Sequence, residues 1–301
     1  MSTDKISEIR VAKMLFHCEA IKIAPVDRPF LYTSGLIGPF YINTHYLCGG
    51  KEVSEGLLGS IDLLQDDPLL LAEQLPLLLD QAIGSSDTYS GVLDVMAGEA
   101  RRILKNKNVR YITGGQRRDW FFSVPLSKKL NLDHLFLFND CSVCDQKGEP
   151  FKNSSSQSFE CLHVADLLTV GSSYLSKWIP AISSFGGKII AALNCVDRNQ
   201  GGADNLNEAG IPEVYSLVKF GESLFREAHI QKFLDESQLE MLLSFISDPF
   251  GSMQSYLIKN PDFVRDALNS DDKSKARICL MLKNDLYKLG SGYIRQFESL
   301  I

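Results

Sequence analysis

The sequence lacks an apolar run long enough to cross a bilayer, and it lacks an excess of basic residues. Its most apolar stretch, 63–80, is interrupted by three acidic residues and two prolines, whereas a membrane-spanning helix needs about 20 mostly apolar residues in succession. Lys and Arg number 31 against 37 Asp and Glu, a formal net charge of −6, which argues against a general nucleic-acid binder. The polar first ten residues lack the apolar core of a signal peptide. We therefore expect a cytoplasmic protein with no membrane or nucleic-acid partner.

The sequence also lacks the residue patterns of a disulfide-bonded protein and of a metal site. The seven cysteines are odd in number and lie mostly within apolar runs, which is typical of reduced thiols. Cys141 and Cys144 form a single C-x-x-C pair with no second pair and no histidine nearby, whereas a structural zinc ion needs four ligands. The five histidines show no ligand spacing, and His163 is expected to be a hydrogen-bonded core residue. No metal site built from protein ligands is predicted.

Apolar residues are plentiful, and their spacing divides the 301-residue chain. Hydrophobic residues make up 45% and charged residues 23%, the composition of a globular protein with a proper core. Helical spacing predicts a helix at the N-terminus and further helices over 50–107, with breaks near Pro76 and at 84–87. An extended, aromatic segment punctuated by Gly and Pro connects the two regions.

From residue 109 onwards strands alternate with helices. Strands are predicted at 109–112, 135–138, 161–165, 188–196 and 214–218, and helices at 120–130, with Asp119 as its N-cap, and at 173–185. Residues 139–158 are predicted to form a long loop, and only helices follow residue 220. This alternation predicts an α/β fold with a parallel sheet of about five strands and helices on both faces.

The segment CLHVADLLTVGSS, 161–173, has the pattern of a phosphate-binding turn. An apolar strand leads to Asp166, and the small, hydroxyl-rich run Thr169-Val170-Gly171-Ser172-Ser173 opens the next helix. In such a turn the backbone N–H groups, the helix N-terminus and the hydroxyls converge on an anion. Asp166 is placed to hold ribose hydroxyls. We predict that the run binds phosphate and that Asp166 acts in catalysis; the alternative is an ordinary strand-to-helix turn capped by Thr169.

A second anion-binding pattern follows the first predicted strand of the sheet. Gly114 and Gly115 allow close approach of the backbone to a ligand, and Arg117 and Arg118 carry charge that neutralises a diphosphate. We predict that all four bind phosphate and that the arginines act in catalysis. The alternative is that the arginines are solvated, while the aromatic residues 120–122 pack in the core.

The 161–173 segment resembles the signature with which type I phosphoribosyltransferases bind phosphoribosyl pyrophosphate (PRPP). That signature is a strand, two acidic residues, two apolar residues and then Thr-Thr-Gly-Ser or a close variant. Asp166 matches the second acid, whereas Ala165 replaces the first. The resemblance implies that the acid pair, which holds the ribose in the family, is reduced here to one member.

Two further segments resemble orotate phosphoribosyltransferases in particular. In FLYTSGLIGPFYIN, 30–43, Ser34 and Gly35 match an anion-binding turn, with Thr33 in place of the usual lysine, and Phe40 and Tyr41 are expected to flank a planar base. In 194–220, Arg198 matches the arginine that holds the orotate carboxylate. The run GGQRRDWFFS is similar to one in a divergent sub-group of orotate phosphoribosyltransferase-like proteins.

The resemblance implies the fold, the reaction and the partners. The expected fold is that of type I phosphoribosyltransferases over 1–220, with a helical insertion at about 50–107, an N-terminal hood, and a C-terminal helical extension over 221–301. The implied reaction joins a pyrimidine, orotate, to PRPP with release of pyrophosphate. Mg²⁺ is expected to accompany the diphosphate, since it prefers phosphate oxygens and retained waters. The resemblance also implies a homodimer.

The predicted loop 139–158 departs from the family. Members carry a lysine and a histidine there that stabilise the leaving pyrophosphate, whereas this segment has Lys147 and Lys152 and no histidine. An alternative function is therefore a regulator or pseudoenzyme that binds PRPP or nucleotides and has lost efficient turnover.

Overall fold

A computed structural model of the chain describes residues 3–153, 158–297 and 300. Their contacts form two compact units. The first runs up to Ala20 and continues over Asn43–Leu224, and the second comprises Ile21–Ile42 and the chain from Phe225 onwards. The sequence predicts a domain boundary at residue 220 and assigns residues 21–42 to the first domain, as part of its N-terminal hood. The structure instead groups 21–42 with the C-terminal helices.

The strands of the described chain are β1 Ile21–Ile23, β2 Phe30–Leu31, β3 Ile37–Gly38, β4 Phe40–Ile42, β5 Val109–Gly115, β6 Asp133–Leu137, β7 Val143–Asp145, β8 Phe159–Leu168, β9 Gly187–Asp197 and β10 Glu213–Lys219. Its α-helices are α1 Thr3–His17, α2 Gly50–Leu64, α3 Pro68–Ser85, α4 Asp87–Leu104, α5 Trp120–Leu130, α6 Ile179–Ser184, α7 Gly202–Glu208, α8 Glu222–Ile230, α9 Glu236–Ser247, α10 Pro249–Lys259, α11 Pro261–Leu268, α12 Asp272–Lys283 and α13 Ser291–Ile294. A π-helical turn, Tyr174–Trp178, leads directly into α6.

The first unit is built on a sheet in the order β10-β9-β8-β5-β6-β7. The five predicted strands are present and parallel, and β7 adds an antiparallel edge beside β6. Helices cover both faces: the Trp120 ring of α5 lies 5.4 Å from Phe136, whereas the neighbouring Leu135 and Leu137 pack in a cluster with Trp178 and Ile182. The fold class predicted from the alternating pattern is therefore confirmed.

The helices over 50–104 follow the prediction except at Pro76. Helix α3 runs through this proline, because Leu71, Leu75 and Leu79 form a fully buried stripe that anchors the helix on both sides of it. The break lies earlier, where the Asp67 carboxylate accepts a hydrogen bond from Leu70 N at 3.1 Å and caps α3.

Two predictions about the connections in the sheet domain are wrong. The loop predicted over 139–158 contains β7, which returns beside β6 with Leu137 opposite Val143; residues 154–157 lie outside the described chain. Strand β8 does not end at Asp166 but continues to Leu168, because it keeps its pairing with β9 as far as Asp197.

The second unit has its own apolar core, built largely from the helices that were predicted after residue 220. Ile37 of β3 is buried together with Met253, Leu257, Ile278 and Leu282 from α10 and α12. The Tyr287 hydroxyl accepts a hydrogen bond from Ile37 N at 2.9 Å. Helix α11 begins at Pro261, directly after its N-cap residue Asn260.

Two absences expected from the sequence can be compared with the fold. No helix in the described part of the chain combines the length and the apolarity needed to cross a membrane. All seven cysteines lie in the described part, and each carries a free thiol.

The packing of α5 on β5 gives a stability prediction. A Cβ atom on Gly114 would lie 2.0 Å from Ser123 Oγ and 2.6 Å from Ser123 Cβ, so Gly114→Ala overpacks the core. We expect it to lower the free energy of unfolding by about 1–3 kcal/mol. Gly98→Ala is the control, because a Cβ there meets nothing within 4 Å and a helical Gly→Ala change stabilises by about 0.5–1 kcal/mol.

Urea unfolding followed by tryptophan fluorescence measures both variants. The two tryptophans, Trp120 and Trp178, both lie in the first unit, so the signal reports that unit alone. Equal stability of Gly114→Ala and wild type would contradict the described packing of α5.

Candidate functional site

Strands β5 and β8 lie side by side, but their chains continue to opposite sides of the sheet, β5 to β6 and β8 to β9. Their mutual pairing ends at Thr113 and His163, whereas β5 follows β6 to Gly115 and β8 follows β9 to Leu168. The carboxyl ends of the two strands therefore separate. In open parallel sheets ligands bind at such a point.

A pocket of about 500 Å³ lies at this separation. The predicted site residues that line it are Asp166, Arg117, Arg118, Thr169, Gly171, Ser172 and Ser173. Further lining comes from residues that the sequence reading did not select, chief among them Asp62, Gln65, Asp119 and Asn139. The structure thus joins the two predicted anion-binding segments in one pocket.

The turn after β8 has the form of a phosphate cradle. Gly171 has a φ of +78°, a conformation that glycine adopts without strain. Ser172 and Ser173 are exposed and begin the helical segment that continues into α6, so their N–H groups belong to the first turn, which has no intrahelical acceptors. Val170, predicted as a ligand, is 45% exposed and is not among the lining residues.

Helix α7 supports the cradle from behind. Asn205 Nδ2 donates to Val170 O at 2.9 Å, and a Cβ on Gly202 would lie 2.4 Å from Thr169 O. The sequence reading overlooked both residues. The Gly-Gly pair after Arg198 was the available signal, since a glycine at the start of a helix often marks a close approach of two backbones.

Asp166 is held in a buried, polar setting. Its side chain lies on β8 and accepts a hydrogen bond from the Thr44 hydroxyl at 2.6 Å. Burial, and next the negative charge of Asp119, raise its pKa from the ordinary range to about 7. Both causes favour the protonated form of the Asp166 carboxyl over that of an exposed aspartate.

Asp119 does more than begin α5. It was predicted to cap that helix, but its side chain makes no capping hydrogen bond. Instead its carboxylate accepts the N–H of Gly115 at 3.1 Å and the N–H of Asp166 at 3.0 Å. Asp119 therefore connects the separating ends of β5 and β8.

The two arginines of the loop after β5 have different surroundings. Arg117 forms an ion pair with Asp62 of α2, whereas Arg118 makes no ion pair with any residue of the described chain and lowers the pKa of Asp166 by its charge. The loop is held to α2 by a second contact, Gln116 Nε2 to Gln65 Oε1 at 2.5 Å. The peptide bond between Gln116 and Arg117 is cis.

Gly114 and Gly115 lie behind the pocket rather than in its lining. The carbonyl of Gly114 accepts the Trp120 indole N–H at 2.9 Å, and the N–H of Gly115 is taken by Asp119. A Cβ on Gly115 would lie 2.3 Å from the ring of Trp178. Close packing therefore accounts for these glycines in the structure, and their predicted contact with phosphate stays a prediction.

Ser34, Gly35, Phe40 and Tyr41 belong to the second unit. A Cβ on Gly35 would lie 3.2 Å from Arg277 O, and its φ is +81°. Phe40 is 7% exposed, with its ring 5.7 Å from that of Phe245, so it is a core residue of that unit.

Tyr41 is partly exposed and packs its ring against Phe30 at 4.6 Å. Its hydroxyl donates to Leu31 O at 3.1 Å. Its ring therefore keeps an exposed part, and its predicted contact with the base stays a prediction.

Arg198 and His163 belong to the first unit. Arg198 follows β9 and donates its backbone N–H to Leu168 O at 2.8 Å, so its backbone lies at the end of β8, although its side chain is not in the pocket lining. His163 is fully buried with Nδ1 2.9 Å from Thr113 Oγ1, which confirms its assignment to the core.

Comparison with known proteins identifies the family of the chain. No protein-family model matches the chain. The orotate phosphoribosyltransferase of Pyrobaculum islandicum is 33% identical over 218 residues, which are 72% of this chain and 90% of that protein. The orotate phosphoribosyltransferase of Sulfurisphaera tokodaii is 34% identical over 235 residues, 77% of this chain and 90% of that protein.

A solved structure agrees with the fold. The crystal structure of an orotate phosphoribosyltransferase from Francisella tularensis matches 77% of this chain and 95% of its own, with a TM-score of 0.51 and 12% identity. Since two relatives exceed 30% identity over most of both chains, and the sheet agrees with the fold of the solved structure, this chain belongs to the orotate phosphoribosyltransferase family of type I phosphoribosyltransferases.

Proposed function

We propose that the protein is a phosphoribosyltransferase that joins orotate to PRPP and releases pyrophosphate. The observation that carries this proposal is the single pocket in which the cradle at 169–173 and the arginines 117 and 118 face the same space. PRPP carries a 5′-phosphate at one end of its ribose and a diphosphate at the other, so it needs two anion sites on one pocket. The curated relatives bear the name orotate phosphoribosyltransferase.

The proposed reaction assigns a task to each group of residues. The cradle N–H groups and hydroxyls hold the 5′-phosphate, and Asp166 faces the ribose. A ring nitrogen of the base bonds to ribose C1 and loses its proton, while the bond from C1 to the diphosphate breaks and its electrons leave with the diphosphate. Arg118 and Arg117 stabilise the charge that develops on this leaving group. Arg198, whose backbone lies at the end of β8 although its side chain is outside the pocket lining, is assigned to the carboxylate of orotate because it has a planar fork of donors.

Mg²⁺ is proposed to accompany the diphosphate. The described residues contain no cluster of three or more His, Cys, Asp or Glu side chains that could hold a metal ion. The Asp62 carboxylate faces the pocket, and oxygen donors in small number suit Mg²⁺ that is bound mainly by phosphate and water. When bound, the ion would neutralise part of the diphosphate charge. The free thiols of the cysteines support a cytoplasmic location for this reaction.

The test of the proposed function is pyrophosphate release by the purified protein with PRPP, Mg²⁺ and a panel of bases. Release that requires orotate supports the proposal, and release with another base corrects the substrate. Binding of PRPP without turnover with any base would favour the alternative, a regulator. One contact supports that alternative: Arg117 forms an ion pair with Asp62, so it is less available to a diphosphate.

The first prediction from this assignment concerns the leaving diphosphate. Because Arg118 makes no ion pair in the described chain, Arg118→Ala is expected to lower turnover by about a hundredfold, as for the loss of one preorganised donor. Affinity for orotidine monophosphate, which has no diphosphate, should change little. Arg110→Ala is the control, since Arg110 lies exposed near the start of β5. Wild-type turnover in both Arg117→Ala and Arg118→Ala would contradict the assignment.

The second prediction concerns the Arg117–Asp62 ion pair. Both side chains are about 40% exposed, and such pairs contribute about 0–1 kcal/mol. Asp62→Asn frees Arg117 and removes a negative charge from the pocket, so pyrophosphate should bind about three- to tenfold more tightly. Calorimetry measures this, with Asp66→Asn as the control, because Asp66 is exposed and does not line the pocket. Equal or weaker binding by Asp62→Asn would show that Asp62 does not compete with the ligand.

The third prediction is that the protein forms a homodimer. Two-fold dimers are the commonest oligomers, and α2 and α3 expose large apolar side chains, with Leu63 at 86% and Leu77 at 61%. Sedimentation velocity at tens of micromolar, roughly a working protein concentration, should give a dimer. A monomer at that concentration would contradict this prediction.

A further inference from the structure

Residue 165 is an alanine at the position where the family signature has its first acid. Ala165 packs with Tyr174 and Trp178 and lines the pocket with them, but it brings no carboxylate. Asp166, the next residue on the strand, accepts the Thr44 hydroxyl. The acid in contact with Asp166 comes instead from the loop after the neighbouring strand, where Asp119 accepts the Asp166 N–H.

The contacts of Asp119 span the separation of the two strands. Beyond Thr113 and His163, β5 and β8 no longer bond to each other, so the N–H groups of Gly115 and Asp166 need another acceptor if they are buried. One oxygen of Asp119 accepts the Gly115 N–H and the other accepts the Asp166 N–H. A single carboxylate thus connects a strand end on each side of the pocket.

A buried histidine lies beneath this carboxylate. His163 Nε2 is 3.8 Å from Asp119 Oδ2, and the His163 side chain is fully buried. Among the described residues Nε2 has no hydrogen-bond partner. Nδ1 lies 2.9 Å from Thr113 Oγ1; in the tautomer in which Thr113 donates to Nδ1, Nε2 carries the hydrogen, which faces Asp119. The side chain of Asp119 is itself 13% exposed, so its charge is weakly screened by water.

We propose that Asp119 is the positioning residue of this site. Its carboxylate bridges the ends of β5 and β8, fixes the main chain of Asp166, and supplies the second negative charge that Ala165 does not. The part of the inference that concerns ligand affinity rests on the proposed function; the part that concerns the two carboxylates does not.

The electrostatic consequence is that the negative charge of Asp119 raises the pKa of Asp166. The charged and titratable groups around Asp166 are Asp119 and Arg118 of the loop, Tyr174 after β8, Cys195 of β9, and Cys48. Burial raises the pKa of Asp166 most, and Asp119 is the next cause. Replacing Asp119 with asparagine removes the like charge, so the pKa of Asp166 should fall.

The experiment follows this charge in the ligand-free protein. Wild type, Asp119→Asn and a control, Asp133→Asn, are labelled with ¹³C at the aspartate carboxyls, and Asp166→Asn identifies the Asp166 signal. Asp133 is an exposed acid at the start of β6. We expect the Asp166 midpoint near pH 7 in wild type and in the control, and about one pH unit or more lower in Asp119→Asn. An unchanged midpoint in folded Asp119→Asn would overturn the proposal.

A second measurement uses the wild type alone, so it stands even if the variant does not fold. Hydrogen exchange of the Gly115 and Asp166 amides should be slow in wild type, because both amides donate to the Asp119 carboxylate. In Asp119→Ala, exchange of these two amides should speed up about tenfold or more, the equivalent of about 1.4 kcal/mol, while that of Thr113 stays slow. Fast exchange of either amide in wild type would overturn the bridge.

Binding of orotidine monophosphate, measured as a function of pH, separates this inference from the proposed function. If an ionised Asp166 holds the ribose, affinity for orotidine monophosphate should rise in wild type as pH rises through about 7. In Asp119→Asn the rise should come at lower pH, with affinity at pH 8 reduced about tenfold by the loss of positioning. A shifted carboxyl midpoint in a protein that binds no ribose phosphate would refute the proposed function and leave the role of Asp119 intact. A tenfold loss with no shift in the pH profile would show that Asp119 only packs.

Discussion

The separation of β5 from β8 is the constraint on which the rest of the site depends. Each strand stays paired on its outer side, β5 with β6 and β8 with β9, so the crevice between them forms without loss of the sheet. Both anion-binding segments begin where these strands end. Polar groups exposed by the separation need partners, and Asp119 provides them for Gly115 and Asp166. The pocket is thus a consequence of topology, stabilised by one side chain.

The charges of the pocket are nearly balanced within the protein. Arg117 and Arg118 face Asp62, Asp119 and Asp166 across it. A half-exposed pair such as Arg117–Asp62 contributes at most about 1 kcal/mol, which a diphosphate that offers several oxygens to a guanidinium can exceed. The buried pair Asp119–Asp166 is different, because weak screening makes each charge sensitive to the other. The exposed pair is therefore easily opened, whereas the charges of the buried pair depend on each other.

The sequence predicted those parts of the molecule that depend on local pattern. Helix α5 has the predicted limits. The run 169–173 forms the predicted turn after a strand, with Gly171 at a positive φ that glycine adopts without strain. Long-range geometry could not be read in this way. Gly114 and Gly115 look like ligand-binding glycines, yet Ser123 and Trp178 are what exclude a side chain there. Asp119 looks like a helix cap, and nothing local shows that Asp166, 47 residues later, lies in contact with it. Nor does a local pattern show that Ile37 packs with α10 and α12 from the far end of the sequence.

The most direct test of the account is a crystal structure of the protein with PRPP and Mg²⁺. The account predicts the 5′-phosphate against the N–H groups and hydroxyls of Ser172 and Ser173, the ribose beside Asp166, and the diphosphate on Arg118, with Arg117 released from Asp62. PRPP bound in the reverse orientation, or at a site away from the crevice between β5 and β8, would contradict it.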